Sequence, residues 1–174
     1  MAKLDYKQFE DYVFSLVQAI PYYIYEGVAS IFCLGLVVFI AWKGFKMGLR
    51  YSVALLLIEY VFLIFCSTVI FRATVETRPY DFHPFWSYDR PELLVENIMN
   101  VAVFIPVGLL LGVAFKHMTW WKALLIGCSI SVTIEALQFC FMKGFSELDD
   151  VMHNTLGCIF GYVLVEGSRL MVKR

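Results

Sequence analysis

The chain has 174 residues, of which 60% are hydrophobic and 17% aromatic, with a mean hydropathy of +0.72 and a formal net charge of -1. That is far more apolar than a water-soluble domain of this size, and the charges cluster between long apolar stretches. The composition excludes a soluble globular domain and a basic nucleic-acid binder, and points to an all-α polytopic membrane protein built as one domain over residues 1–174.

In chain order, Met1–Pro21 places Leu4, Phe9, Val13, Leu16, Val17 and Ile20 at helical spacing among Lys3, Asp5, Lys7, Glu10 and Asp11. This predicts an amphipathic interfacial helix. It lacks the layout of a cleavable signal peptide. Five runs then reach the roughly 20 helical residues that a hydrocarbon core requires: Tyr22–Trp42, Tyr51–Phe71, Ile98–Phe115, Trp120–Met142 and Val151–Val172. Lys43, Lys46 and Arg50 follow the first span, Lys116 and Lys122 separate the third and fourth, and Arg169, Lys173 and Arg174 close the chain. The positive-inside rule therefore puts the N-terminus outside and the C-terminus in the cytoplasm of a plasma membrane. Acids gather on the other side, and that dipole favours cationic groups outside and anionic lipid headgroups inside. Membrane lipids are the expected partners, and no nucleic acid.

All five cysteines, Cys33, Cys66, Cys128, Cys140 and Cys158, fall in predicted spans and read as small apolar residues. No nucleotide-binding loop, serine-hydrolase elbow or redox motif is present, and no cofactor is expected. Asp149 and His153 stand four apart and Glu147 and His83 could approach them, a weak metal signal without a zinc-binding motif.

The polar residues inside the spans carry the functional reading. A charge at membrane depth costs roughly 2.5–3.5 kcal/mol, yet Glu135 lies in the fourth span, about seven residues or roughly 10 Å from its outer end. Ser131, Glu135 and Gln138 share one helical face. Asn97 and Asn100 share a face at the start of the third span, and Asp150 and Asn154 do so at the start of the fifth. Buried polar groups must find partners, so Asn97, Asn100, Glu135, Gln138, Asp150 and Asn154 are expected to form one outward-opening cluster. Gly108-x-x-x-Gly112 and Gly157-x-x-x-Gly161 would let the third and fifth spans pack closely, and Pro106 should kink the third. Glu59 either joins the cluster or pairs elsewhere, and Glu166 is placed to pair with Arg169. The exterior loop over 72–96 holds three prolines, a set of aromatics suited to an interfacial lid, and Arg72, Arg78 and Arg90 as anion contacts.

Together, Glu96-Asn97-x-x-Asn100-x-x-x-Phe104-x-Pro106-x-Gly108, Ser131-x-x-x-Glu135-x-x-Gln138 and Asp149-Asp150-x-x-x-Asn154-Thr155-x-Gly157 resemble the VanZ-like membrane proteins. Arg78 and His83-Pro84-Phe85 resemble elements that precede that core, which spans about residues 78–161. Family members commonly carry an arginine just before the acidic pair. Here Gly144-Phe145-Ser146 leaves Lys143 as the nearest cation in sequence, with Arg78 a possible substitute, and Asp81 stands where an asparagine is common. The resemblance implies an association with resistance to teicoplanin and related lipid-bearing glycopeptides. Three mechanisms are open: binding of a lipoglycopeptide or lipid-linked cell-wall precursor by Arg78, Asn97, Asn100, Glu135, Gln138, Asp149, Asp150 and Asn154; acid–base catalysis with Glu135 and Asp150 as paired carboxylates; or lipid transport.

Overall fold

The computed structural model describes residues 35–40, 42–44, 46, 48–77 and 79–172. In lipid, backbone amides must bond within their own segment, so long apolar runs become helices. Four do: α1 (Leu49–Phe65, continued by a π-helical turn over Cys66–Ile70), α2 (Leu94–Ala114), α3 (Trp120–Phe141) and α4 (Leu148–Val172). With their flanking turns these give four helices long and apolar enough to cross a membrane, Leu49–Ile70, Pro91–Ala114, Trp120–Phe141 and Leu148–Val172. They match the second to fifth predicted spans. The third begins earlier than expected, because a 3-10 turn over Pro91–Leu93 leads directly into α2. The interfacial helix expected over Met1–Pro21 lies outside the described residues, as does most of the first predicted span, of which residues 35–40 and 42 are helical.

Helices α2 and α4 form the spine, and glycine sets their separation. A Cβ built on Gly157 would lie 2.1 Å from the Val101 carbonyl oxygen, one on Gly161 2.0 Å from that of Ile105, and one on Gly108 1.9 Å from that of Cys158. Each backbone therefore occupies the volume a side chain would need on the other. Along its other side α4 packs on α3, where Gly127 meets Cys158. α1 packs on α2 and meets α3 chiefly through its π-helical end. A small core of Ile64, Val69, Phe104, Val107, Leu111, Ile134 and Cys158 fills the centre. Leu156, Phe160 and Val163 point away from it and are half exposed, an apolar exterior that suits lipid. The Tyr60 hydroxyl donates to the Val103 carbonyl at 2.9 Å and that of Tyr162 to Met118 at 3.0 Å. At the far end from the loop over 72–96, Arg169 pairs with Glu166, as their spacing suggests, and also donates to the Gly112 carbonyl near the end of α2. Cys66, Cys128, Cys140 and Cys158 are free thiols.

The loop over 72–96 is more ordered than its prolines suggest. It contains strand β1 (Tyr80–Asp81), a 3-10 turn over Trp86–Asp89 and the turn that starts α2. β1 pairs in parallel with β2 (Ser146–Glu147), aligning Tyr80 with Ser146 and Asp81 with Glu147. That pairing draws the loop onto the turn between α3 and α4. The turn starts with Met142 in the left-handed region (φ 54°), and Lys143 N–H returns to the Gln138 carbonyl at 2.8 Å, the glycine-favouring helix end. Met142→Gly should relieve that strain and raise stability by up to about 1 kcal/mol. A rise in Tm of the detergent-solubilised protein would show it, and a marked fall would mean that Met142 is held there by its packing.

Candidate functional site

Asp149 and Asp150 begin α4 side by side and do different things. The Asp149 side chain is fully buried. Its Oδ1 accepts the Phe85 N–H at 2.7 Å, while Oδ2 accepts the Ser87 N–H at 2.9 Å and the Ser87 hydroxyl at 2.6 Å. Phe85 is left-handed at φ 67°, a conformation unfavourable for a non-glycine residue, and the carboxylate grips the chain at that bend. Asn97 extends the network by donating to the Ser87 oxygen at 3.1 Å. Asp149 and Asn97, both expected to face a ligand, thus point at the loop over 72–96. Their acceptor capacity and first amide donor are taken up inside the protein.

Asp150 turns to the helix bundle, where the Asn100 amide donates to its Oδ1 at 2.6 Å. Glu135, 6% exposed, accepts the Glu147 N–H at 3.0 Å on Oε2, and the Ser146 hydroxyl donates to the Glu135 backbone carbonyl at 3.2 Å. So the short strand β2 lies directly against the acid of α3. Glu147 ties these groups together. Its carboxyl is pushed up to about 8, first by burial and then by the charges of Asp150, Glu96 and Glu135, because desolvation and like charge both disfavour its ionised form. Four carboxylates, one each from α2, α3, β2 and α4, therefore surround one mouth. Opposite in sign, the Arg72 guanidinium lies over Gly144, where a Cβ would sit 2.5 Å from its Nε, and its charge reaches Glu135 and Asp150. Lys143 Nζ donates to the Arg72 carbonyl at 3.0 Å. Asp81, paired in register with Glu147, has its carboxyl held below the usual range by the backbone N–H and ring of His83.

The remaining expected residues lie at the same end but bond separately. The Gln138 amide donates to the Thr68 carbonyl at 3.0 Å, bridging α3 to the end of α1, and Asn154 donates to Ser131 Oγ at 2.8 Å, bridging α4 to α3. The six polar residues are thus gathered at one end but divided among several hydrogen-bonded groups. Arg78 lies outside the described residues. Glu59 joins none of these groups, and its buried Oε2 has no hydrogen-bond partner among the described residues. No group of three or more His, Cys, Asp or Glu among the described residues is arranged to hold a metal ion. His153 instead shares a 2.9 Å hydrogen bond with the Tyr88 hydroxyl. Beside that pair and Asn97, an open groove of about 330 Å³ runs along the apolar face of α2 past Ile98, Val101 and Ile105.

Ser87, Tyr88 and Glu147 were not among the residues expected to bind a ligand, and Arg72 was expected only as an anion contact of the loop. Only Glu147, two positions before the acidic pair, had a local signal. Ser87 sits in an aromatic stretch with nothing in its spacing to mark it.

A relative with a measurable match is Protein VanZ of Enterococcus faecium, 41% identical over 69 residues, an alignment that covers 40% of this chain and 43% of that protein. The chain thus spans less than half the length of the curated relative it matches. No solved structure matches the chain. The VanZ/LLP1 family model matches residues 51–170, a stretch that takes in nearly all of the four membrane helices, the loop over 72–96 and the carboxylate mouth. This chain belongs to the VanZ/LLP1 family.

Proposed function

We propose that this protein lies in a bacterial plasma membrane with its loop end outward, and lowers susceptibility to lipoglycopeptides such as teicoplanin by engaging the drug or a lipid-linked cell-wall precursor at the carboxylate mouth. The observation that carries the reading is the placement of Glu135. It is a buried acid on a membrane helix, set against Glu147 and Asp150, with the Arg72 cation beside it and an apolar groove at the same end of the bundle. Helix-to-helix bonding alone does not call for an acid.

In this reading Glu135 and Asp150 receive a cationic or hydroxyl-bearing part of the ligand, Asn100 orients Asp150, and Arg72 meets an anionic part. The acyl tail lies along the apolar surface of the helices. Gln138 and Asn154 fix the walls. Asp149 holds the loop rather than the ligand, with Asn97 as its support, and Arg78 remains a proposed loop contact. Teicoplanin binding to the purified protein in nanodiscs tests this directly. Glu135→Gln should weaken it about tenfold or more, the loss expected when a charge-assisted hydrogen bond of roughly 1.5–3 kcal/mol is removed. Equal binding by both proteins would contradict the assignment.

A second reading, acid–base chemistry on a lipid-linked substrate, is favoured by one feature. Glu147, pushed up to about 8, keeps a transferable proton near neutral pH next to the Glu135 carboxylate. Turnover of a cell-wall lipid by the purified protein separates the two readings.

A further inference from the structure

Arg72 stands two residues beyond the π-helical end of α1 and is pinned there through its backbone. Its carbonyl accepts Lys143 Nζ at 3.0 Å, and just beyond it the Val75 N–H donates to the Met142 carbonyl at 2.8 Å. Both bonds run to the turn that ends α3. They lay the guanidinium over Gly144, where even a Cβ would collide with Nε, Cζ and Nη2. Gly144 also has a positive φ of 95°, so its backbone and the arginine above it both favour glycine.

A guanidinium held this firmly normally has an acceptor, and this one has none in the chain. Its charge acts on Glu135 and Asp150, yet the ion pairs among the described residues are those of Asp81 with His83 and Glu166 with Arg169. Arginine carries five N–H donors and lysine three. Among the described residues the guanidinium donors have no hydrogen-bond partner, and Lys143 spends one of its own on the Arg72 carbonyl. The result is a fixed fork of donors, the geometry that matches two oxygens of a phosphate.

Further into the bundle the same two helices part. Ile58, Val61, Phe62 and Phe65 of α1 and Ile130 and Ile134 of α3 line an open apolar groove of about 410 Å³. Phe65 precedes Arg72 by seven residues, which puts the near end of the groove roughly 10 Å along the helix axis from the arginine. A cationic seat just past the end of a membrane helix and an apolar groove within the membrane thus lie in line on α1 and α3. That is the layout of a phospholipid, with its phosphate at headgroup depth and its chain in hydrocarbon. The nearby carboxylates favour a headgroup that carries hydroxyl donors beside its phosphate.

We propose that Arg72 and Lys143 seat the phosphate of a hydroxyl-bearing membrane lipid whose chain lies in the groove between α1 and α3. Its role at the carboxylate mouth rests on the proposed function, where it selects the lipid-linked precursor as the ligand; the binding site itself does not.

Isothermal titration calorimetry on the full chain in maltoside micelles, which bring no phosphate, tests the site. Oleoyl lysophosphatidate should bind about tenfold or more tighter than mono-oleoylglycerol, which has the chain without the phosphate, and than inorganic phosphate, which has no chain. Arg72→Gln should abolish that preference, and Arg72→Lys should keep only part of it, because a point charge replaces the fork. Ser129→Trp, which fills the groove from its exposed rim, should weaken lysophosphatidate by about tenfold. Arg72 and Ser129 are exposed, so these variants should fold, and an unchanged Tm checks it. Equal binding of the two oleoyl lipids, or a preference that survives Arg72→Gln, overturns the phosphate seat. Inorganic phosphate bound as tightly as lysophosphatidate, or lipid binding undiminished in Ser129→Trp, overturns the assignment to a lipid. Lysophosphatidate binding as expected, without protection against teicoplanin, would contradict the proposed function alone.

Discussion

Gly161→Val should reach the membrane at a small fraction of the native level, and the protein that does so should melt well below it. The Gly161 Cβ would lie 2.0 Å from the Ile105 carbonyl oxygen and 2.9 Å from the Leu109 nitrogen. These are backbone atoms of α2 and cannot rotate aside. To admit valine the two helices must part, and the loss extends to the contacts of Gly157 with Val101 and of Gly108 with Cys158 on the same seam. Overpacking a tight contact costs about 1–3 kcal/mol on its own. Parting the spine adds the lost packing along it, so the total should exceed about 3 kcal/mol. Gly167→Ala is the internal comparison, because a Cβ there meets nothing within 4 Å. It should be neutral or gain up to about 1 kcal/mol in helix propensity. Matched membrane levels and Tm values for the two variants would contradict the account of the spine.

Asp149→Ala should loosen the loop over 72–96 while leaving the four helices intact. The substitution strands the Phe85 and Ser87 amides and the Ser87 hydroxyl, all of which now donate to one buried carboxylate. Hydrogen bonds to a charged acceptor contribute about 1.5–3 kcal/mol each, and a buried donor left unmatched carries its own desolvation cost. Solvent can enter once the loop lifts, which limits the net loss to about 2–4 kcal/mol. Limited proteolysis should then cut within residues 82–90, where the native chain should resist. Asp149→Asn should fall between, since its single carbonyl oxygen cannot serve donors on both sides. A loop as resistant in Asp149→Ala as in the native chain would show that the aromatic contacts of Trp86 with Phe145 and of Tyr88 with His153 hold it unaided.

Much of the fold was legible because its causes are local. Apolar runs of sufficient length had to be helices, the glycine pairs named the faces that meet, and Glu166 was placed to find Arg169 by spacing alone. The site was legible in part. Glu135, Asp150 and Asn100 could be put at one depth by counting residues from the span ends. Their division into separate hydrogen-bonded groups could not, because several partners are backbone atoms that leave no mark in a sequence: the Glu147 amide for Glu135, the Thr68 carbonyl for Gln138, and the Phe85 and Ser87 amides for Asp149. The bonds of Asp149 to the loop were not legible for that reason. An acid beside another acid suggested a shared task, whereas the loop, more than sixty residues earlier in the chain, takes one of them. Arg72 was named as an anion contact, but not as a neighbour of Glu135 and Asp150. Its place over Gly144 depends on how the end of α1 meets the turn after α3, a tertiary contact between segments about seventy residues apart.

The most direct test of the central claim is teicoplanin and vancomycin susceptibility in a sensitive Gram-positive host expressing either the native chain or Glu135→Gln at matched membrane levels. The account predicts protection against teicoplanin from the native chain, little against vancomycin, and loss of that protection in Glu135→Gln. Undiminished protection in Glu135→Gln, or none from the native chain, would contradict it.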